Sequence, residues 1–146
     1  MKRILKTDTA LLLLRFTFGW LFFYAGITKV INPQWSAKGF LENAQTFSGF
    51  YSWLASPNIL PTVDFLNEWG LTLIGIALIL GVLVRLSAYL GALLMVLYYF
   101  PGLSFPYIGE HSLLVDDHII YALGLLLLAS LSTKHHWGIF ASRLKR

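Results

Sequence analysis

Several residues able to do acid–base or charge chemistry sit inside stretches oily enough to span a bilayer. Arg15 and Lys29 lie in the apolar run 10–31, Glu68 lies in 63–84, and Asp117 and His118 open the run 113–131. An ionisable group in hydrocarbon costs roughly 2.5–3.5 kcal/mol even on lenient insertion scales. Such groups are kept where they face a protein interior, pair with one another or meet a polar ligand. A pocket formed by such groups would have a cation in Lys29 with Arg15 deeper, carboxylates and an imidazole in Glu68, Asp117 and His118, phenols in Tyr98 and Tyr121, and an apolar wall in Trp69. Each group also has a plain structural role open to it. Lys29 and Arg15 can snorkel to the two headgroup zones, Glu68 can simply neutralise Lys29, and acids opening a helix are favoured by its dipole. His111, Glu110, Asp116, Asp117 and His118 match no metal-ligand spacing, so no metal is expected.

The elements that must position these groups follow from hydropathy. Of the 146 residues, 57% are hydrophobic and only 12% are charged, against roughly 25% charged in an ordinary soluble domain. That balance marks an integral membrane protein. The net charge of +4 is not a nucleic-acid footprint, because the basic residues gather at the chain ends: Lys2, Arg3 and Lys6 at one, Lys134, Arg143, Lys145 and Arg146 at the other. Basic flanks mark the cytoplasmic side, so both termini are expected there, with an even number of spans. No cysteine is present, which excludes disulfide relays and thiolate-held iron–sulfur clusters. The first run carries Arg15 and is too long for a cleaved leader, so it reads as a retained helix.

The expected fold is an all-α membrane protein: a single domain over 1–146 with four transmembrane helices, at about 8–31, 63–84, 86–105 and 113–132. A spanning helix needs about 20 residues. The amphipathic segment 34–56 would lie on the outer surface between the first two helices, with Trp35 and Trp53 at headgroup level. On the first helix, Arg15, Phe18, Phe22, Ala25 and Lys29 share one face with Gly19 and Gly26 beside it. Small residues at that spacing admit close helix approach. In an up-down-up-down arrangement Lys29, Glu68, Tyr98, Asp117, His118 and Tyr121 converge on one layer beneath the outer surface. Asp117 is expected to turn inward and Asp116 toward another face.

The order and spacing of these residues resemble a known family. The first helix reads Arg15-Phe-Thr-Phe-Gly19-Trp-Leu-Phe22-Phe-Tyr-Ala-Gly26-Ile-Thr-Lys29. Then come Glu68, Gly75, Gly81 and Arg85 leading into Leu-Ser-Ala-Tyr, and Asp117-His118-Ile-Ile-Tyr121. This pattern is similar to that of the DoxX/DoxD family over almost the whole chain. The resemblance implies a four-helix membrane bundle. For the DoxD branch it implies a subunit of a thiosulfate:quinone oxidoreductase, with quinone as co-substrate and a second subunit, or a second copy of the chain, as partner. Thiosulfate would arrive at the outer face and be oxidised to tetrathionate, with Lys29 as its cation and protonated His118 as helper, while Glu68, Asp117 and His118 would carry the protons as catalytic groups and Tyr98, Tyr121 and Trp69 would contact the quinone ring. Two other functions stay open: a small-solute carrier built on the same buried charges, and a non-catalytic membrane scaffold for a redox partner. A quinone enzyme requires a cleft open sideways to lipid, a carrier requires a polar path to the cytoplasmic side, and a scaffold requires closed, paired charges.

Overall fold

The computed structural model describes residues 7–131. The terminal basic clusters on which the expected orientation rests, together with His135 and His136, lie outside the described residues. The chain is mostly helical: α1 (Thr7–Val30), α2 (Lys38–Glu42), α3 (Ser48–Leu54), α4 (Leu60–Leu80), α5 (Val84–Gly102), a two-residue hairpin of β1 (Leu103–Ser104) and β2 (Tyr107–Ile108), and α6 (Asp117–Leu131). Among the described residues three helices, α1, α4 and α5, are long and apolar enough to cross a membrane, and α6 is a shorter apolar helix with 15 described residues. Their exposed side chains are those a lipid phase accepts, including Leu13, Phe16, Trp20, Leu73 and Leu93. The protein is therefore a multi-pass membrane protein.

Packing follows residue size. In lipid, apolar burial gives no net drive between helices, so van der Waals contact and close backbone approach must hold them together. Gly19 and Gly26 are buried on α1, and Gly75 on α4. A Cβ on Gly75 would fall on the Phe23 backbone and one on Gly26 on the Thr72 backbone, while one on Gly19 would come within 2.9 Å of the Ile79 nitrogen. The two helices thus run backbone against backbone along their lengths, and α5 packs on α6 in turn. The pairs join through α4 with α5 and α1 with α6. Phe18 of α1 lies against Gly124 of α6, and Phe22 reaches Gly91 of α5. Phe22, Leu71, Leu78 and Leu125 fill the centre.

Several boundaries differ from the sequence expectation, each for a local reason. The second long helix starts at Leu60, before Pro61. The first turn of a helix leaves its N–H groups without intrahelical partners, so the proline's missing donor costs nothing there. That helix ends at Leu80, because Gly81 takes a left-handed conformation with φ +71° and closes it. The third long helix stops at Gly102 rather than near 105, and residues 103–108 turn back as the hairpin, with Leu103 opposite Ile108 and Ser104 opposite Tyr107. The last helix starts at Asp117, four residues later than expected. Leu113 forms a bridge to Tyr107 instead.

The connection 31–59 holds α2 and α3, which fold back over the ends of α4 and α5. Apolar contact holds them there, with Leu41, Ala44 and Tyr51 packing against Leu60, Val63 and Phe100. Four hydrogen bonds pin the cover. Ala37 N–H donates to Asp64 Oδ1 at 2.8 Å, and the Tyr51 hydroxyl donates to the Leu97 carbonyl at 2.8 Å. The Thr46 hydroxyl donates to the Leu103 carbonyl at 2.6 Å, and Gln45 N–H donates to the Pro101 carbonyl at 3.0 Å.

Candidate functional site

Between this cover and the helix ends lies a cavity of about 240 Å³. Phe40 and Leu41 of α2 line it from above, with Phe50, Tyr51 and Leu54 of α3. Leu66 and Asn67 of α4 line it from below, with Leu94, Leu97 and Tyr98 of α5. The wall is almost wholly apolar. Phe40, Phe50 and Leu66 are also exposed large hydrophobics, so the rim faces outward with hydrocarbon. Asn67 and the Tyr98 hydroxyl supply the polar atoms of one end. An apolar hollow with a few placed polar groups is the usual anatomy of a small-molecule site.

Lys29 stands behind that end, in the last turn of α1. Its ammonium donates to Asn67 Oδ1 at 2.7 Å and lies 4.6 Å from the Trp35 ring centre and 5.8 Å from that of Tyr98. The partner anticipated from sequence was Glu68. Glu68 is half-buried nearby, but no ion pair joins the two. Neighbouring residues on a helix point about 100° apart, and it is Asn67 that faces α1's terminal turn.

His118 stands on the other side of Tyr98, with ring centres 6.3 Å apart and nearly perpendicular. Its Nδ1 lies 2.6 Å from Asp116 Oδ2, and Asp116 Oδ1 accepts the backbone N–H groups of His118 and Ile119 at 3.1 and 3.3 Å. Asp116 is thus both the cap of α6 and the partner of its imidazole. The expectation that Asp117 turns inward and Asp116 away is reversed: Asp117 is exposed. The physical reason is the helix start. An N-cap side chain must fold back over the first turn to reach the free N–H groups, which carries Asp116 toward His118 and leaves the next residue outside.

The other candidates are placed apart. Trp69 is 40% exposed and is not on the cavity wall. Tyr121 is half-buried one turn deeper and packs edge-on against Phe18 at 6.0 Å. Arg15 is buried on α1, about 21 Å from Lys29 by helix rise, so it belongs to a different level of the molecule. Phe22, Leu71 and Leu78 fill the layer between the two.

Lys29, Tyr98 and His118 are therefore brought together as anticipated. Asn67, Asp116, Trp35 and the cover residues Phe40 and Tyr51 join them without having been singled out as site residues. An amide and a carboxylate in the first turns of otherwise apolar helices were the available signal for Asn67 and Asp116. For the cavity side of the cover, the signal was the helically spaced apolar stripe Phe40, Ala44, Phe47, Tyr51 and Leu54, of which Phe40, Tyr51 and Leu54 line the hollow.

A profile of the DoxX family matches residues 10–101, which takes in most of α1, all of α2 to α4, most of α5 and the whole cavity wall. No curated protein and no solved structure matches the chain. With more than half of its length matched, from the glycine-paired first helices to the cavity they frame, this chain belongs to the DoxX family.

Proposed function

We propose that this protein is the membrane subunit of a quinone-linked oxidoreductase and that the cavity under α2 and α3 holds the quinone ring. The observation that carries this reading is the form of the hollow: apolar walls, an outward rim of Phe40, Phe50 and Leu66, and polar atoms confined to one buried end. A lipid-soluble ring enters such a site sideways from the bilayer. The carrier reading needs a polar path between the levels of Lys29 and Arg15, where Phe22, Leu71 and Leu78 are packed.

Reduction of a quinone takes up two electrons and two protons and gives the quinol. The protons enter through the pair Asp116–His118, whose imidazole side chain is 38% exposed, and reach the ring beside Tyr98. A partner subunit supplies the electrons. Thiosulfate, as their source, is oxidised on that partner, because a dianion in the cavity would lose its hydration against hydrocarbon without a counter-charge on the wall. In this reading α6, packed along α5, is a fourth span. Both termini are cytoplasmic, the cavity lies toward the outer face, and the cell membrane is the location.

The test is the ligand that travels with the protein. Extracted with its native lipid, the parent should carry close to one quinone per chain by mass spectrometry. Leu97→Trp, which fills the hollow, should carry far less while remaining folded. Equal quinone in both would remove the cavity from the account.

A further inference from the structure

The polar end of the cavity has a donor–acceptor balance that selects its ligand. A lysine ammonium only donates, and Lys29 lies 2.7 Å from Asn67 Oδ1. That contact requires the amide oxygen to face Lys29 and turns Nδ2, with its two N–H groups, away from it. An amide's two ends are told apart by their partners, and here the cation makes the assignment. Asn67 lines the cavity, as does Tyr98. The Tyr98 hydroxyl is buried with no acceptor for its O–H among the described residues, and the Asn67 side chain is the hydrogen-bonding group beside the phenol oxygen. The other hydroxyl of the wall, on Tyr51, is spent on the Leu97 carbonyl. The buried end therefore offers an Asn67 N–H and the Tyr98 O–H, with the amide oxygen turned away toward Lys29.

We propose that the cavity selects an apolar ring bearing a carbonyl oxygen, seated between Asn67 Nδ2 and the Tyr98 hydroxyl. Lys29 is the positioning residue that turns Asn67 into a donor. This rests on the cavity being the quinone site and narrows it: the feature recognised is the acceptor oxygen of the oxidised ring. A ligand ending in hydrocarbon would leave both groups buried and unpaired, a cost that falls on binding.

The experiment uses two probes with one carbon skeleton, tetralone and tetralin, which differ by a carbonyl. Binding to the full chain in lipid nanodiscs is measured against empty nanodiscs to subtract partition into lipid. The parent should bind tetralone about tenfold tighter than tetralin, the factor one or two buried hydrogen bonds supply. Asn67→Leu and Tyr98→Phe should each lower that preference by about three- to tenfold, through weaker tetralone binding, tighter tetralin binding or both, and circular dichroism with the melting temperature shows that the variants are folded. Lys29→Met should lower the preference as well, and Lys29→Arg, which keeps a donor to Oδ1, should restore it. Equal binding of the two probes by the parent, binding of neither, or a preference indifferent to both Asn67→Leu and Tyr98→Phe would overturn the proposal. If the preference holds but no quinone travels with the protein, the redox reading fails and the acceptor site stands. If quinone travels with the protein but ignores Asn67 and Tyr98, the reverse is true.

Discussion

Asp116 Oδ2 stands 2.6 Å from His118 Nδ1 while the Oδ1 of the same carboxylate caps the first turn of α6. One side chain thus fixes both where the helix begins and how its imidazole is held. Asp117, one residue on, is exposed and does neither. Asp116→Ala should therefore cost about 1 kcal/mol, the usual value of a lost N-cap, and free the His118 ring. Asp117→Ala should cost less than half as much. Thermal unfolding in detergent compares them, and an equal or larger loss at Asp117 would contradict the assigned cap.

Lys29 is bound to Asn67 rather than to Glu68, and a pair of double-mutant cycles separates the two. The Lys29→Met and Asn67→Leu cycle should show a coupling of about 1.5–3 kcal/mol, as expected for a hydrogen bond to a charged group. The Lys29→Met and Glu68→Gln cycle should give a smaller coupling, because those two groups act on each other by charge across a gap with no contact between them. A larger coupling to Glu68 would mean that the lysine has the other partner in the membrane.

The close contact of α1 and α4 makes a sharp contrast between two glycines of one helix. Any side chain on Gly75 meets the Phe23 backbone, whereas a Cβ on Gly70 meets nothing within 4 Å. Gly75→Ala should destabilise by about 1–3 kcal/mol, as overpacking does. Gly70→Ala should be neutral or stabilising by up to about 1 kcal/mol through helix propensity. Folded yield by size-exclusion chromatography and the melting temperature report both, and a tolerated Gly75→Ala would rule out the backbone contact.

Tyr51 ties the cover to α5 through its hydroxyl. Tyr51→Phe should cost about 1 kcal/mol and make the segment 38–54 exchange its amide protons faster. Burial also pushes the Tyr51 phenol above its ordinary value of 10.0. The folded state therefore holds the proton more tightly than the unfolded state does. The contribution is complete below about pH 10 and is lost as pH rises through the higher folded value. The parent should lose more stability across that alkaline window than Tyr51→Phe does. Identical alkaline profiles would show that the phenol is not held by the fold.

The sequence alone determined that this chain lives in a membrane, because hydropathy is a local property that needs no partner to be read. It determined the face of α1 that turns inward, since Gly19, Phe22 and Gly26 recur at helical spacing and only small residues permit close approach. It also brought Lys29, Tyr98 and His118 to one end, because helix rise fixes depth along an axis. Rotation about that axis was another matter. Whether Asn67 or Glu68 meets Lys29, and whether Asp116 or Asp117 meets His118, turns on about 100° per residue. That angle is set by where each helix starts and by what it packs against. Helix starts in turn depended on Pro61 entering the first turn of α4 and on the hairpin 103–108 delaying α6. The cavity was the least legible feature, since its walls come from four elements, and the side chains that line it are ordinary apolar residues. Only the folding of α2 and α3 over the ends of α4 and α5 encloses a space, and that depends on contacts such as Asp64 with Ala37 and Tyr51 with Leu97, made between residues 27 and 46 positions apart.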